Sequence, residues 1–203
     1  MPSETTSPKL TKRFDAALAY ASDLHRRQVR KGGDIPYVGH LLSAAGLVIE
    51  AGGSETEAIA ALLHDAAEDQ GGEATLADIR DKFGADVADI VEECSDTMVE
   101  PKPPWKQRKQ DYIDHLRTAG APTILVSLAD KLENARAILR DLRRHGPALW
   151  NRFSTADPQD HLWYYRSLLE VYRARTDGWL VDELARVVAD LEQEIGPPVA
   201  ATV

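Results

Sequence analysis

The stretch Ala60-Ala61-Leu62-Leu63-His64-Asp65-Ala66-Ala67-Glu68-Asp69 holds an apolar run, an adjacent His-Asp pair and two further carboxylates within one turn. His64 and Glu68 stand four apart and share a face if the segment is helical, and so do Asp65 and Asp69. Ionisable groups set against so apolar a run are costly to bury without a partner. A divalent cation would serve as that partner. Imidazole and carboxylate ligands suit Mn²⁺, Fe²⁺ or Zn²⁺, and a carboxylate-rich six-coordinate set favours Mn²⁺.

Outward from this stretch the pattern stays helical. Ser54 and Glu57 form a capping box that opens the helix, which is predicted to run on to Glu68 or Asp69. Upstream, Phe14, Leu18, Ala21 and Leu24 give one apolar face to a helix over 11–28, which Lys31-Gly32-Gly33-Asp34-Ile35-Pro36 interrupts. A second helix begins near His40 and ends at Ala51-Gly52-Gly53. Downstream, Thr75 with Asp78 reads as another capping box, opening a helix that stops at Gly84. Helices over 85–94 and 105–116 follow, separated by a proline-rich loop over 95–104. Pro122 suits the first turn of a helix reaching Arg144, and two amphipathic helices cover 158–175 and 179–194. No segment alternates with period two over a useful length. The expected fold is all-α, eight to ten helices in a single domain over 10–195, with tails at 1–9 and 196–203. The Trp163, Tyr164, Tyr165 and Tyr172 cluster reads as packing.

The 203 residues suffice for one real core. A formal charge of −9 argues against nucleic acid as the main partner, since a phosphate-backbone binder shows basic character. It leaves room for a small phosphorylated ligand, because a metal and a local basic pocket override the global sign. The single cysteine, Cys94, fits a reducing compartment. No apolar run approaches a membrane span. The expected location is the cytoplasm.

One His and one Asp make a poor metal site. His40, at a helix start after a Pro-Tyr turn, and Asp130, ending the apolar run Ile124-Leu125-Val126-Ser127-Leu128-Ala129, supply further donors. The order His…His-Asp…Asp on separate helices makes a four-ligand site plausible.

These stretches resemble the HD-type hydrolase domain of the RelA/SpoT family, and more closely its stand-alone small alarmone hydrolases. The matching segments are Gln28-Val29-Arg30-Lys31, Pro36-Tyr37-Val38-Gly39-His40, the His64-Asp65 stretch, Phe83-Gly84, and Leu128-Ala129-Asp130-Lys131-Leu132-Glu133-Asn134. The resemblance covers about 14–145 and leaves no room for the family's separate synthetase domain. It implies a helical phosphohydrolase with His40, His64, Asp65 and Asp130 as metal ligands, usually for Mn²⁺. It also implies that Glu68 and Asp69 orient and activate the attacking water, that Arg30 and Lys31 line the nucleotide pocket, and that Tyr37 and Asn134 lie near the nucleoside. The implied reaction removes the 3′-pyrophosphate of ppGpp or pppGpp. Independently, a phosphoester cut needs charge neutralisation and a positioned base, and Arg30 and Lys31 offer fixed positive charge.

The chain also departs from the family. The turn at Gly32-Gly33-Asp34 is longer than in the long enzymes, and Lys131 and Glu133 replace residues more usual there. Where guanine-specific members carry a threonine and an apolar residue, Ala137 and Asp141 stand. Asn134, Ala137 and Asp141 share a helical face, and an ionised Asp141 accepting from an exocyclic amino group favours adenine, as in ppApp. Of the basic residues after the proline-rich loop, Lys106, Arg108 and Lys109 are candidates for distal phosphates. The competing readings are an HD phosphohydrolase acting on another phosphorylated nucleotide or cofactor, and a nucleotide-binding module without turnover.

Overall fold

In the computed structural model, which describes residues 10–97 and 101–197, the chain is built from ten α-helices and one short 3-10 helix. They are α1 (Lys12–Leu24), α2 (Val38–Glu50), α3 (Glu55–Leu63), α4 (Ala66–Gln70), α5 (Glu73–Phe83), α6 (Ala85–Cys94), α7 (Trp105–Leu116), α8 (Ala121–His145), α9 (Pro158–Arg175) and α10 (Trp179–Ile195), with the 3-10 helix at Gly146–Arg152 between α8 and α9. The described residues hold no strand, only an antiparallel bridge between Val29 and Pro36 that closes the turn before α2. The expected tail at 1–9 lies outside the described residues. Of the one at 196–203, only Gly196 and Pro197 are described.

α3 lies at the centre. From Ala58 to Leu63 no side chain is exposed, as expected of a helix apolar on every side. It packs against α1, α2, α6 and α8. Alanines at 44, 45, 60 and 61 let the backbones approach, and Leu41, Ile59, Leu62, Leu128 and Leu132 fill the space between them. α10 and α9 cover the other side of α8. Ser54 caps α3 as the sequence implies: its hydroxyl accepts from the Glu57 amide, and Glu57 Oε2 accepts from the Ser54 amide at 2.6 Å. Ser54→Ala is expected to lower unfolding stability by about 1 kcal/mol, read from thermal or urea melts.

Three boundaries differ from the sequence reading. α1 stops at Leu24, because His25 leaves the helix to pack its ring on Tyr37. α5 starts at Glu73, since Gly71 and Gly72 take positive φ and turn the chain early. Thr75 is then inside the helix, with its hydroxyl donated back to the Gln70 carbonyl at 2.9 Å, while Asp78 accepts from Tyr20 at 2.6 Å, so the second capping box does not form. The long helix expected over 55–69 is two helices, α3 and α4, broken at His64-Asp65.

Candidate metal centre and cleft

That break makes the His-Asp pair usable. On an uninterrupted helix, neighbouring side chains diverge by about 100°. Here Asp65 relaxes to ψ −2°, and His64 Nε2 and Asp65 Oδ2 converge to 3.0 Å. α2 brings His40 Nε2 to 3.3 Å from His64 Nε2 and 3.5 Å from Asp65 Oδ2. α8 brings Asp130 Oδ1 to 3.2 Å from His40 Nε2 and 3.4 Å from His64 Nε2. All four sequence-derived ligands thus meet at one point, three of them buried and Asp65 facing the cleft.

The outer nitrogens decide what that point is for. His64 Nδ1 lies 2.8 Å from the Ala61 carbonyl, which can only accept, so Nδ1 carries a proton. His40 Nδ1 is likewise paired with the Glu133 carboxylate. In the neutral rings both Nε2 lone pairs therefore face each other and two carboxylates. This is how metal-binding imidazoles are oriented. The field agrees. Burial opposes a charge on His40, but hydrogen bonds donated to the Asp130, Asp65 and Glu133 carboxylates push its pKa up to about 9. Burial also opposes charge on His64, and Asp65 and Asp130 outweigh it. Burial would raise Asp65 and Asp130, yet His64 and His40 hold the first well below the carboxylate range, and Lys131 and His64 do so for the second. A field that favours positive charge at this point favours a divalent cation, and the two-imidazole, two-carboxylate set fits one.

Around the donors sits a second layer. Tyr37 donates to Asp65 Oδ2 at 2.5 Å, Lys131 reaches Asp130 Oδ2 at 2.6 Å, and Asn134 donates to Asp130 Oδ1. Arg30 donates to Asn134 Oδ1 at 2.9 Å and pairs with Glu133 at 3.2 Å. Tyr37, Asn134 and Arg30 therefore lie beside the four candidate ligands. Lys131 and Glu133, departures from the long enzymes, are part of the same network.

The centre opens into a cleft of about 650 Å³. Glu68 and Asp69 line it on one side. Glu68 is held at both oxygens, by the Asp96 amide and by Lys102, each at 3.0 Å. Asp69 accepts from Gln28 Nε2 at 2.7 Å, and burial together with the Asp65 charge raises its carboxyl pKa. Lys31 and Asp141 also line the cleft. The oxygens that the sequence reading assigns to a base amino group are in contact with Arg140 at 3.2 Å and Arg152 at 3.5 Å.

Of the basic residues after the proline-rich loop, Lys109 lines the cleft, where burial lowers its pKa to about 7, and it pairs with Asp96 at 3.0 Å. Lys106 instead pairs with Asp160 at 2.8 Å, and Arg108 with Asp96. Tyr112 and Tyr172 are packing, bonded to opposite sides of the Ser127 hydroxyl at 2.7 Å each. Tyr164 and Tyr165, read as packing, also form cleft wall, and the buried Tyr164 hydroxyl has no hydrogen-bond partner among the described residues. Gln28 and Arg152, which also line the cleft, were given no site role by the sequence reading. Their positions depend on turns and helix crossings that leave no local signal.

A helical domain that gathers two histidines and two aspartates around one point, at the edge of a polar cleft, has the make-up of a divalent-metal hydrolase domain. The family model described as an HD domain matches residues 17–159, and the chain belongs to that family, whose members are metal-dependent. Among curated proteins it is similar to guanosine-3′,5′-bis(diphosphate) 3′-pyrophosphohydrolase MESH1 of Xenopus tropicalis, 39% identical over 145 residues, 68% of this chain and 76% of that protein. The human protein of the same name is 37% identical over 138 residues, 66% of this chain and 72% of that one. A solved structure described as a metazoan ortholog of SpoT that hydrolyzes ppGpp superposes with a TM-score of 0.74 at 26% identity, covering 92% of this chain and 98% of that chain. A Listeria monocytogenes structure gives 0.65 at 30% identity, over 77% of this chain and 98% of its own. No helix among the described residues is long and apolar enough to cross a membrane.

Proposed function

We propose that the protein hydrolyses the 3′-pyrophosphate of guanosine 3′,5′-bis(diphosphate), with His40, His64, Asp65 and Asp130 holding one Mn²⁺. The observation that carries this is the pair of Nε2 lone pairs, fixed by Ala61 and Glu133, facing each other and two carboxylates at the floor of a nucleotide-sized cleft. The names of the relatives support the substrate. When bound, such an ion supplies Lewis-acid activation and neutralises phosphoryl charge.

The rest falls to the chain's own groups. Water attacks the phosphorus attached to the 3′-oxygen, the P–O3′ bond breaks, the departing 3′-oxygen takes a proton from solvent, and the products are GDP and pyrophosphate. Asp69, whose carboxyl pKa is raised by burial and the Asp65 charge, takes the proton of the attacking water. Glu68, clamped at both oxygens, orients that water. Arg30 and Lys31 bind the polyphosphate, and Tyr37 and Asn134 hold the nucleoside side while fixing Asp65 and Asp130. The buried thiol of Cys94 is consistent with work in the reducing cytoplasm, and the acidic chain with a small nucleotide in place of nucleic acid.

The test is turnover of ppGpp with Mn²⁺, with ppApp in parallel and both products identified. GDP and pyrophosphate in equal amounts are expected. Release of orthophosphate, or turnover confined to 2′- or 3′-monophosphorylated cofactors, would overturn the reading.

A further inference from the structure

α8 continues past Asp130, and the cleft follows it to Arg140, Asp141, Arg144 and His145. Asp130 and Arg144 are separated by about four turns, roughly 21 Å of helix rise. A single pyrophosphate at the metal centre occupies a small part of that length.

The far end has a charge of its own. In a chain of net charge −9, Lys31, Arg140, Arg144 and Arg152 line it against Asp34 and Asp141 alone. Neutralising the C-terminal end of α8 does not require them all, because Arg143 already turns the other way to pair with Asp190 and Glu194. Arg144 has no carboxylate within ion-pair distance among the described residues. Arg152 is held in place from two sides. Its NH1 lies 3.5 Å from Asp141 Oδ2, while Arg140 Nε takes the other oxygen at 3.2 Å. Its stem lies so close to Gly32 that a Cβ there would sit 2.2 Å from Arg152 Cδ. Gly32 also has φ +78°, which few other residues adopt. One carboxylate thus aligns two guanidinium groups and leaves a net positive charge facing the cleft.

We propose that this end is a second anion subsite, taking the 5′-diphosphate of the nucleotide whose 3′-pyrophosphate sits at the metal centre. Arg140, Arg144 and Arg152 are its phosphate contacts, and Asp141 is a positioning residue that aligns two of them. The inference rests on the substrate proposed above, which already carries phosphate at both ends. Guanidinium–phosphate pairs are among the stronger polar contacts, and losing one typically weakens binding by about tenfold or more.

GDP tests the subsite directly, because it carries the 5′-diphosphate and no 3′-phosphate. By calorimetry, Arg144→Ala and Arg152→Ala are each expected to raise the GDP dissociation constant by about tenfold. Gly32→Ala should shift it the same way by displacing the Arg152 stem. Asp141→Asn should raise KM for ppGpp while leaving kcat near the wild-type value. In turnover, the ratio of kcat/KM for ppGpp to that for guanosine 3′-diphosphate with a free 5′-hydroxyl should fall by about tenfold or more in both arginine variants. Unchanged GDP affinity, or equal losses on the two substrates, would overturn the subsite. If the wild type turned over neither nucleotide, the proposed reaction would be wrong, and the GDP titration would still decide the subsite.

Discussion

His64→Ala is expected to leave a protein that retains its helices but no longer holds a stoichiometric divalent ion, with turnover at the level of the buffer blank. Asp65→Ala should behave alike. His64 Nε2 stands within 3.0–3.4 Å of Asp65 Oδ2, His40 Nε2 and Asp130 Oδ1, so its removal takes a donor from the middle of the set. Three donors of mixed charge remain around a hole the size of an imidazole, and the coordination they offer is incomplete. The fold should survive because α3 is secured by Ala58 to Leu63, none of which contributes a metal donor. Metal content by elemental analysis, circular dichroism and turnover together give the result. A His64→Ala protein with one bound ion and native rates would show that the ligands lie elsewhere.

The second large effect separates binding from chemistry. Glu68→Gln and Asp69→Asn preserve shape and hydrogen bonding but remove the negative charge. Each is expected to keep its ion and its nucleotide affinity while kcat falls by about two orders of magnitude or more, the usual scale for a lost general base. The two should differ in kind. Among the described residues the Asp69 carboxylate accepts one hydrogen bond, from Gln28, and it lines the cleft, so Asp69→Asn removes the proton acceptor. Glu68 is anchored to Asp96 and Lys102, so Glu68→Gln weakens the pairing with Lys102 and the orientation of the water, and leaves the proton acceptor in place. A rise in KM with unchanged kcat in both variants would reassign the pair to substrate binding.

Much of this site is legible in the residues themselves. An apolar run ending in His64-Asp65, and another ending in Asp130, place charge where burial is otherwise unfavourable, and that mismatch marks a candidate donor set whose members the fold brings together. The capping box at Ser54 follows from two residues three apart. The one at Thr75 fails because the glycine pair before it sets the N-cap at Gly72, three residues early, an outcome that hydroxyl-to-carboxylate spacing does not register. The break between α3 and α4 carries no glycine or proline to announce it. The far wall of the cleft is less legible still. Arg152 reaches it from a 3-10 helix that sequence patterning does not show, and it is set beside Asp141 and Gly32 by tertiary packing alone. Asp141 reads as a hydrogen-bond acceptor in isolation, whereas in the fold its oxygens are directed at two arginines.

The donors come from three segments, and even the two histidines are 24 residues apart. An unfolded chain therefore presents no site, and an ion held by these four donors would bind only the native state. Free ion at one hundred times its dissociation constant would add about 2.7 kcal/mol to the unfolding free energy. A chelator should lower the melting temperature as well as abolish activity. By mass action, the metal supply would then govern how often the chain opens to a protease, and so how long each molecule persists.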